Sequence, residues 1–240
     1  ETLYATGVRV SELAALRLRL AEITGKSPDD DALMAAVLRE ESADARFCAL
    51  LDARPHIDLS ERAFYGLLRS REYLPAEGFT AAAEAVLALR SERPRTAIPV
   101  AMSGIMAEPA ALLDAIAEAG ATVVADDLAG TGRRRYPPGE GDEPLLRLAG
   151  TLLGAPPCST RSDPVAARVE HLLGLVRSRG ARAVIFYTVK FCEPELFYQP
   201  LLRKALDAAG VPSVVIEVDL AERLPHQAIT RVEALLETVT

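Results

Sequence analysis

The residue with the most chemical promise is Cys192, in Lys190-Phe191-Cys192-Glu193-Pro194. It follows an apolar run and precedes a Pro-started helical stretch. The positive end of a helix favours thiolate, the form that binds metal or attacks an electrophile, and Lys190 adds charge of the same sign nearby. The plainer alternative is a small buried thiol. Three more polar clusters stand directly after apolar runs: Ser103-Gly104, Asp126-Asp127, and Glu217 with Asp219. Each reads equally well as ordinary loop polarity. Gly130-Thr131-Gly132 leads into Arg133-Arg134-Arg135, which could hold phosphates through backbone N–H groups and guanidinium forks. Its spacing matches neither a P-loop nor GxGxxG, and a solvated basic loop fits as well. Cys158, after Pro156-Pro157, reads as a loop thiol, and Cys48 as a core thiol. His56, His171 and His226 are scattered and form no ligand spacing.

These side chains need elements to hold them. Residues 1–93 read as helical, over Val10–Ala21, Asp31–Leu51, Ser60–Arg71 and Thr80–Arg90. The rhythm changes after Pro94. Apolar strands at Thr96–Met102, Ala121–Ala125, Ala181–Val189 and Val211–Val218 alternate with helices at Pro109–Ala119, 143–153, 164–179, Pro194–Ala209 and Pro225–Val239. Continuous apolar strands between helices imply right-handed βαβ units and a parallel sheet buried on both faces. The expected fold is α/β: a helical N-terminal region, 1–93, followed by a Rossmann-like domain, 94–240, with a four-stranded parallel sheet. In such a sheet ligands bind beyond the carboxyl ends of the strands, which is where the polar clusters fall.

Composition narrows the function classes. The chain has 240 residues, half of them hydrophobic and a quarter charged, enough for a core without disulfides. The net charge of −7 divides as −4 for residues 1–93 and −3 for residues 94–240, so neither part has the basic excess that draws nucleic acid. The longest apolar runs fall far short of the ~18 residues of a membrane span, and no export signal opens the chain. Three sparse cysteines fit a reducing, cytoplasmic setting.

From about Leu20 onward, a series of short segments carries a family signal. They are Ala21-Glu22-Ile23-Thr24-Gly25-Lys26, Met102-Ser103-Gly104, Gly120-Ala121, Val124-Ala125-Asp126-Asp127 with Gly132-Arg133, Pro156-Pro157-Cys158, Lys190-Phe191-Cys192-Glu193-Pro194, Gln199-Pro200-Leu201-Leu202 and the run 227–234. In order and spacing they resemble the 2-hydroxyacyl-CoA dehydratase/benzoyl-CoA reductase family, in the style of its iron–sulfur subunits. The resemblance implies a subunit, or a C-terminal fragment of one, that acts on an acyl-CoA by one-electron radical chemistry, as a dehydratase (a lyase) or a reductase. It implies a [4Fe–4S] cluster with Cys192 as one thiolate ligand. The implied partners are a homologous second subunit or a second copy, the acyl-CoA substrate and an ATP-dependent activator protein. Lys190, Ser103 and Asp127 match motif positions and are the catalytic candidates. Arg133 is the candidate for the CoA phosphates or for fixing its loop.

Two departures bear on that implication. The loop that often reads Asp-Asp-Leu-Cys in the family reads Asp126-Asp127-Leu128-Ala129 here, and the family's other cluster cysteines lie upstream of anything in this sequence. The expectation is therefore either the C-terminal part of a longer protein or a cluster-free paralogue acting as a binding or scaffold subunit. This chain alone is expected to be inactive. A second echo, Leu3–Leu13 with Arg9, is similar to the segment of tyrosine recombinases that carries a catalytic Arg. No His-x-x-Arg box follows it, since His226 leads into Gln227-Ala228-Ile229, so it reads as coincidence or as a remnant of a junction.

Overall fold

A computed structural model describes residues 2–106, 110–219 and 224–239. Four helices come first: α1 (Thr2–Thr24), α2 (Asp30–Ala53), α3 (Glu61–Ser70) and α4 (Ala76–Ala88). Two of their starts show how the sequence sets them. The Asp29 carboxylate accepts from Ala32 N–H, and the Ser60 hydroxyl accepts from Ala63 N–H, each satisfying an orphan donor of the first turn. Then β1 (Ile98–Gly104), α5 (Ala111–Glu118), β2 (Ala121–Leu128), α6 (Pro144–Leu153), α7 (Val165–Arg179), β3 (Ala183–Val189), α8 (Glu193–Ala208), β4 (Ser213–Val218) and α9 (His226–Glu237) alternate along the chain. The expected start of α5 at Pro109 lies outside the described residues.

The four strands form one parallel sheet in the order β2-β1-β3-β4. This is the expected α/β architecture with its four-stranded parallel sheet. One face packs on α5, α9 and α3 through Val100, Met102, Ile185, Leu113, Val232 and Phe64. The other packs on α7 and α8 through Ala101, Val184, Phe186, Leu172 and Leu206. Phe47, Leu50 and Phe79 of the leading helices join the first of these cores. The chain leaves β1 toward β2 on one side and returns to β3 on the other. The gap between the carboxyl ends of β1 and β3 is therefore the topological switch point.

β2 differs from its expected span in an informative way. It continues through Asp126 and Asp127 to Leu128, and every residue of it is buried. Its register against β1 slips at Val124: Val100 pairs with Val123, but Ala101 pairs with Ala125. The extra residue reverses which face each later side chain takes. Asp127 consequently lies beside Ser103, on the α7 face, and Asp126 takes the α3 face. Acids are poor strand formers, so sequence alone ends this strand at Ala125.

Candidate functional site

At the carboxyl end of β2 the two adjacent acids meet opposite environments. Among the described residues Asp126 has no cationic partner. Its carboxylate accepts from Leu128 N–H at 2.7 Å, Thr131 Oγ1 at 2.5 Å and Gly132 N–H at 3.0 Å. Burial pushes its pKa up, against these hydrogen bonds. The loop must come very close to supply them: a Cβ at Gly132 would stand 1.8 Å from the Asp126 carbonyl oxygen, so only glycine fits.

Asp127 is held by two guanidinium groups. Arg168 donates to it in bidentate fashion, at 2.7 and 2.6 Å, and Arg133 at 3.3 and 3.4 Å. Ser103 Oγ donates at 2.6 Å. Burial alone would raise the Asp127 carboxyl, but Arg133 and Arg168 outweigh it and hold it well below the ordinary carboxylate range. Arg133 also donates to Glu195 at 2.6 Å, to Ser159 Oγ at 3.3 Å and to Cys158 Sγ at 3.4 Å. Two carboxylates and two guanidiniums thus balance in a region where Asp127 and Arg168 are fully buried and Arg133 is 2 % exposed. An unbalanced set there would carry a desolvation penalty of several kcal/mol per ion.

The sequence-derived candidates fall into two groups. Ser103, Asp127 and Arg133 come together in this one network. Cys192 and Lys190 lie on the turn that leaves β3, where Cys192 caps the start of α8. Cys192 is a free, partly exposed cysteine. The rings around it face outward, Phe191 at 87 % and Phe197 at 74 % exposure. Phe191 has φ +65°, a left-handed conformation that costs a non-glycine residue about 1–2 kcal/mol. The three consecutive arginines separate: Arg133 goes to Asp127 and Glu195, Arg134 pairs with Glu72, and Arg135 with Asp52 at 2.6 Å. Glu217 is exposed on β4, away from the network.

Sequence reasoning missed Arg168, Glu195, Ser159 and His171. A signal existed for two of them. Arg168 shares a helical stripe with buried Leu172 and Val176, and Glu195 shares one with buried Leu202 and Leu206. A charge on a buried stripe needs a partner. Cys158 is buried rather than a plain loop thiol. Its burial opposes ionisation, but the Thr160 hydroxyl and the Arg133 guanidinium bring its pKa below the ordinary thiol value. Burial lowers the pKa of His171, whose Nε2 lies 3.6 Å from Asp127.

A cavity of about 290 Å³ opens at the β1 and β2 tips on the other side of the Asp126 loop. It is lined by Tyr65, Gly66, Met106, Leu113, Gly130 and Thr131, with Arg62 and Arg69 among its other walls. Gly66 is open toward empty space: a Cβ there would meet nothing within 4 Å.

Cys192 fits the place of a metal ligand, being partly exposed at a helix start. A four-iron cluster takes three or four protein ligands. Among the described residues no group of three or more His, Cys, Asp or Glu side chains is placed to hold a metal ion. The described residues thus offer one candidate thiol and not a complete donor set. No helix among them is long and apolar enough to cross a membrane.

Comparison with known proteins gives this geometry a family. The family model described as 2-hydroxyglutaryl-CoA dehydratase, D-component, matches residues 7–239. The beta subunit of (R)-2-hydroxyglutaryl-CoA dehydratase from Acidaminococcus fermentans is 31 % identical over 232 residues, 92 % of this chain and 61 % of that protein. Lactoyl-CoA dehydratase subunit beta from Anaerotignum propionicum is 29 % identical over 238 residues, 95 % of this chain and 63 % of its own length. The (R)-phenyllactyl-CoA dehydratase beta subunit from Clostridium sporogenes is 34 % identical over 141 residues, 58 % of this chain and 37 % of its own length. The chain therefore spans less than two thirds of each of these relatives. Its match to the family model runs through every element from α1 to α9, and the chain belongs to the 2-hydroxyglutaryl-CoA dehydratase D-component family.

Proposed function

We propose that this chain forms the greater part of a beta-type subunit of a 2-hydroxyacyl-CoA dehydratase. The observation that carries the reading is the place of Cys192: a thiol at the start of α8, next to the sheet's switch point, in a chain of this family. The three relatives are named for different acyl groups, lactoyl, phenyllactyl and 2-hydroxyglutaryl. Their common element is a thioester with a hydroxyl at carbon 2, and that is the substrate class we assign.

Loss of water from such a thioester removes a proton from carbon 3, which is too weakly acidic for an ordinary side-chain base. A [4Fe–4S] cluster, when bound, supplies single electrons at low potential, and one-electron reduction of the thioester makes that proton acidic. Cys192 offers one thiolate for the cluster. The other ligands are assigned to the second subunit or to other parts of the complex. Lys190 stands on the same turn as Cys192, between β3 and α8. Arg133 fixes its loop, since Asp127, Glu195, Ser159 and Cys158 take its donors. The cavity against Gly66 gives room for the acyl part of the thioester at the strand tips. Electrons come from an ATP-dependent activator.

The test is turnover. The chain is purified without oxygen together with its partner subunit, mixed with activator, ATP and a series of (R)-2-hydroxyacyl-CoA thioesters, and followed by formation of 2-enoyl-CoA. Turnover of at least one of them, abolished by C192S, is the expected result. A second reading, a cluster-free scaffold subunit, draws on Ala129 and on the incomplete donor set among the described residues. Partner binding without iron, and turnover indifferent to C192S, would establish that reading instead.

A further inference from the structure

The start of α8 carries two chemically different side chains. Cys192 occupies the N-cap position, makes no side-chain capping bond and is partly exposed. Glu195, three residues on, is buried, an unusual place for an acid in the first turn of a helix. Its Oε1 accepts from Arg133 Nη1 at 2.6 Å and from the Ser159 hydroxyl, and its Oε2 accepts from Arg133 Nη2 at 3.4 Å. Arg133 is bound on its other side by Asp127, which Ser103 and Arg168 hold in turn. An unbroken run of charge-assisted bonds therefore joins the tips of β1 and β2 to the start of α8.

The turn that this run reaches needs holding. Phe191 is in the left-handed region with its ring in solvent, so no packing around the ring maintains that conformation. Backbone bonds act on the near side: Lys190 N–H to Val218 C=O at 2.8 Å, Cys192 N–H to Val189 C=O at 3.1 Å and Glu193 N–H to Phe191 C=O at 3.0 Å. Glu195 acts on the far side.

We infer that Glu195 is a positioning residue for Cys192: through Arg133 and Ser159 it pins the first turn of α8 to the strand tips and so sets where the thiol stands. The inference rests on the dehydratase reading for its functional meaning, because that reading makes the position of the thiol matter. Its geometry stands independently of iron.

The experiment is native-state alkylation of Cys192 by iodoacetamide, measured by peptide mass spectrometry as a function of pH in wild type, E195A, E195Q and S159A, with Cys48 as internal reference. The high-pH plateau of the rate reads access to the thiol apart from its charge. E195A is expected to raise the Cys192 plateau at least fivefold with Cys48 unchanged. E195Q, which still accepts from Arg133 and Ser159, is expected to stay within twofold of wild type. S159A is expected to fall between them, and it decides the matter if E195A fails to fold by circular dichroism. A Cys192 plateau that none of the folded variants moves overturns the inference. Iron content of anaerobically purified wild type is measured in parallel. A wild type without iron removes the cluster reading and leaves the clamp to be judged by alkylation alone.

Discussion

Two buried ion clusters sit at opposite ends of β2, and they use the same chemistry for different ends. At the start of the strand, Glu61 of α3 accepts from Thr122 Oγ1 at 2.7 Å, pairs with Arg54 at 2.6 Å and reaches Arg95 at 3.4 Å. The Arg54 guanidinium also lies over the Phe64 ring, 4.5 Å from its centroid. This cluster ties the leading helices to the sheet. At the far end, Asp127 and Glu195 meet Arg168 and Arg133, and the cluster ties α7 and α8 to the strand tips. Only the second touches the helix turn that carries a partly exposed thiol. A buried ion cluster by itself is thus no sign of a functional site; what it holds in place decides.

The largest expected effects come from breaking either cluster. E61A and D127A each strand a buried guanidinium, and each is expected to lower unfolding stability by about 3–5 kcal/mol in urea titrations. Their stability losses should be alike, while only D127A should change the alkylation rate of Cys192. Equal changes at Cys192 in both variants would erase the distinction between the two ends.

Acid separates the contributions within the strand-tip cluster. His171 binds a proton less readily folded than unfolded, because burial opposes its charge. Its share of stability is whole above about pH 6.5, the unfolded value, and is lost as pH falls below it. Asp127, whose pKa is depressed by its arginines, holds its share above about pH 4 and loses it below. Asp126, raised by burial, acts in the opposite sense, because folding favours its protonated form. Urea midpoints between pH 7 and pH 3 should therefore fall in two stages, the first flattened by H171N and the second by D127N. A single-stage decline unaffected by either substitution would contradict this assignment.

Smaller effects sharpen the comparison. G66L projects an apolar side chain into the cavity at the strand tips, where a Cβ is unopposed. It should raise KM for the acyl-CoA severalfold and leave the thermal midpoint near that of wild type; an unchanged KM would remove the acyl assignment from that cavity. F191G relieves the left-handed strain at an exposed residue and should stabilise the fold by about 0.5–1 kcal/mol, net of the backbone entropy glycine adds. A loss of stability would mean that the Phe191 ring has a structural role its exposure does not suggest.

Much of the fold is legible in the residues because the strands are continuous apolar runs and the helices are punctuated by Gly and Pro. β3 begins at Ala183 within the apolar run from Ala181, and α7 ends at Gly180 in the left-handed cap that Gly permits. The extension of β2 through Asp126 and Asp127 is not legible, because it depends on partners far away in sequence. Arg168 is 41 residues from Asp127, and Glu195 is 62 residues from Arg133. The bulge at Val124, which sends the two acids to opposite faces, has no glycine or proline to mark it. Within the buried network, the single positions Ser103, Asp127 and Arg133 stand out from the segments they sit in, but not the bonds that join them. The clamp through Glu195 is a tertiary fact: its only trace in the sequence is one acid on the buried stripe of α8.

The most direct test of the central claim is the iron content and low-temperature EPR spectrum of the anaerobically purified wild-type complex beside C192S and C48S. The account predicts that the wild type and C48S carry the same cluster signal, and that C192S loses it or replaces it with a three-iron form. A cluster signal that survives unchanged in C192S, or wild-type protein free of iron when isolated with its partner, would contradict it.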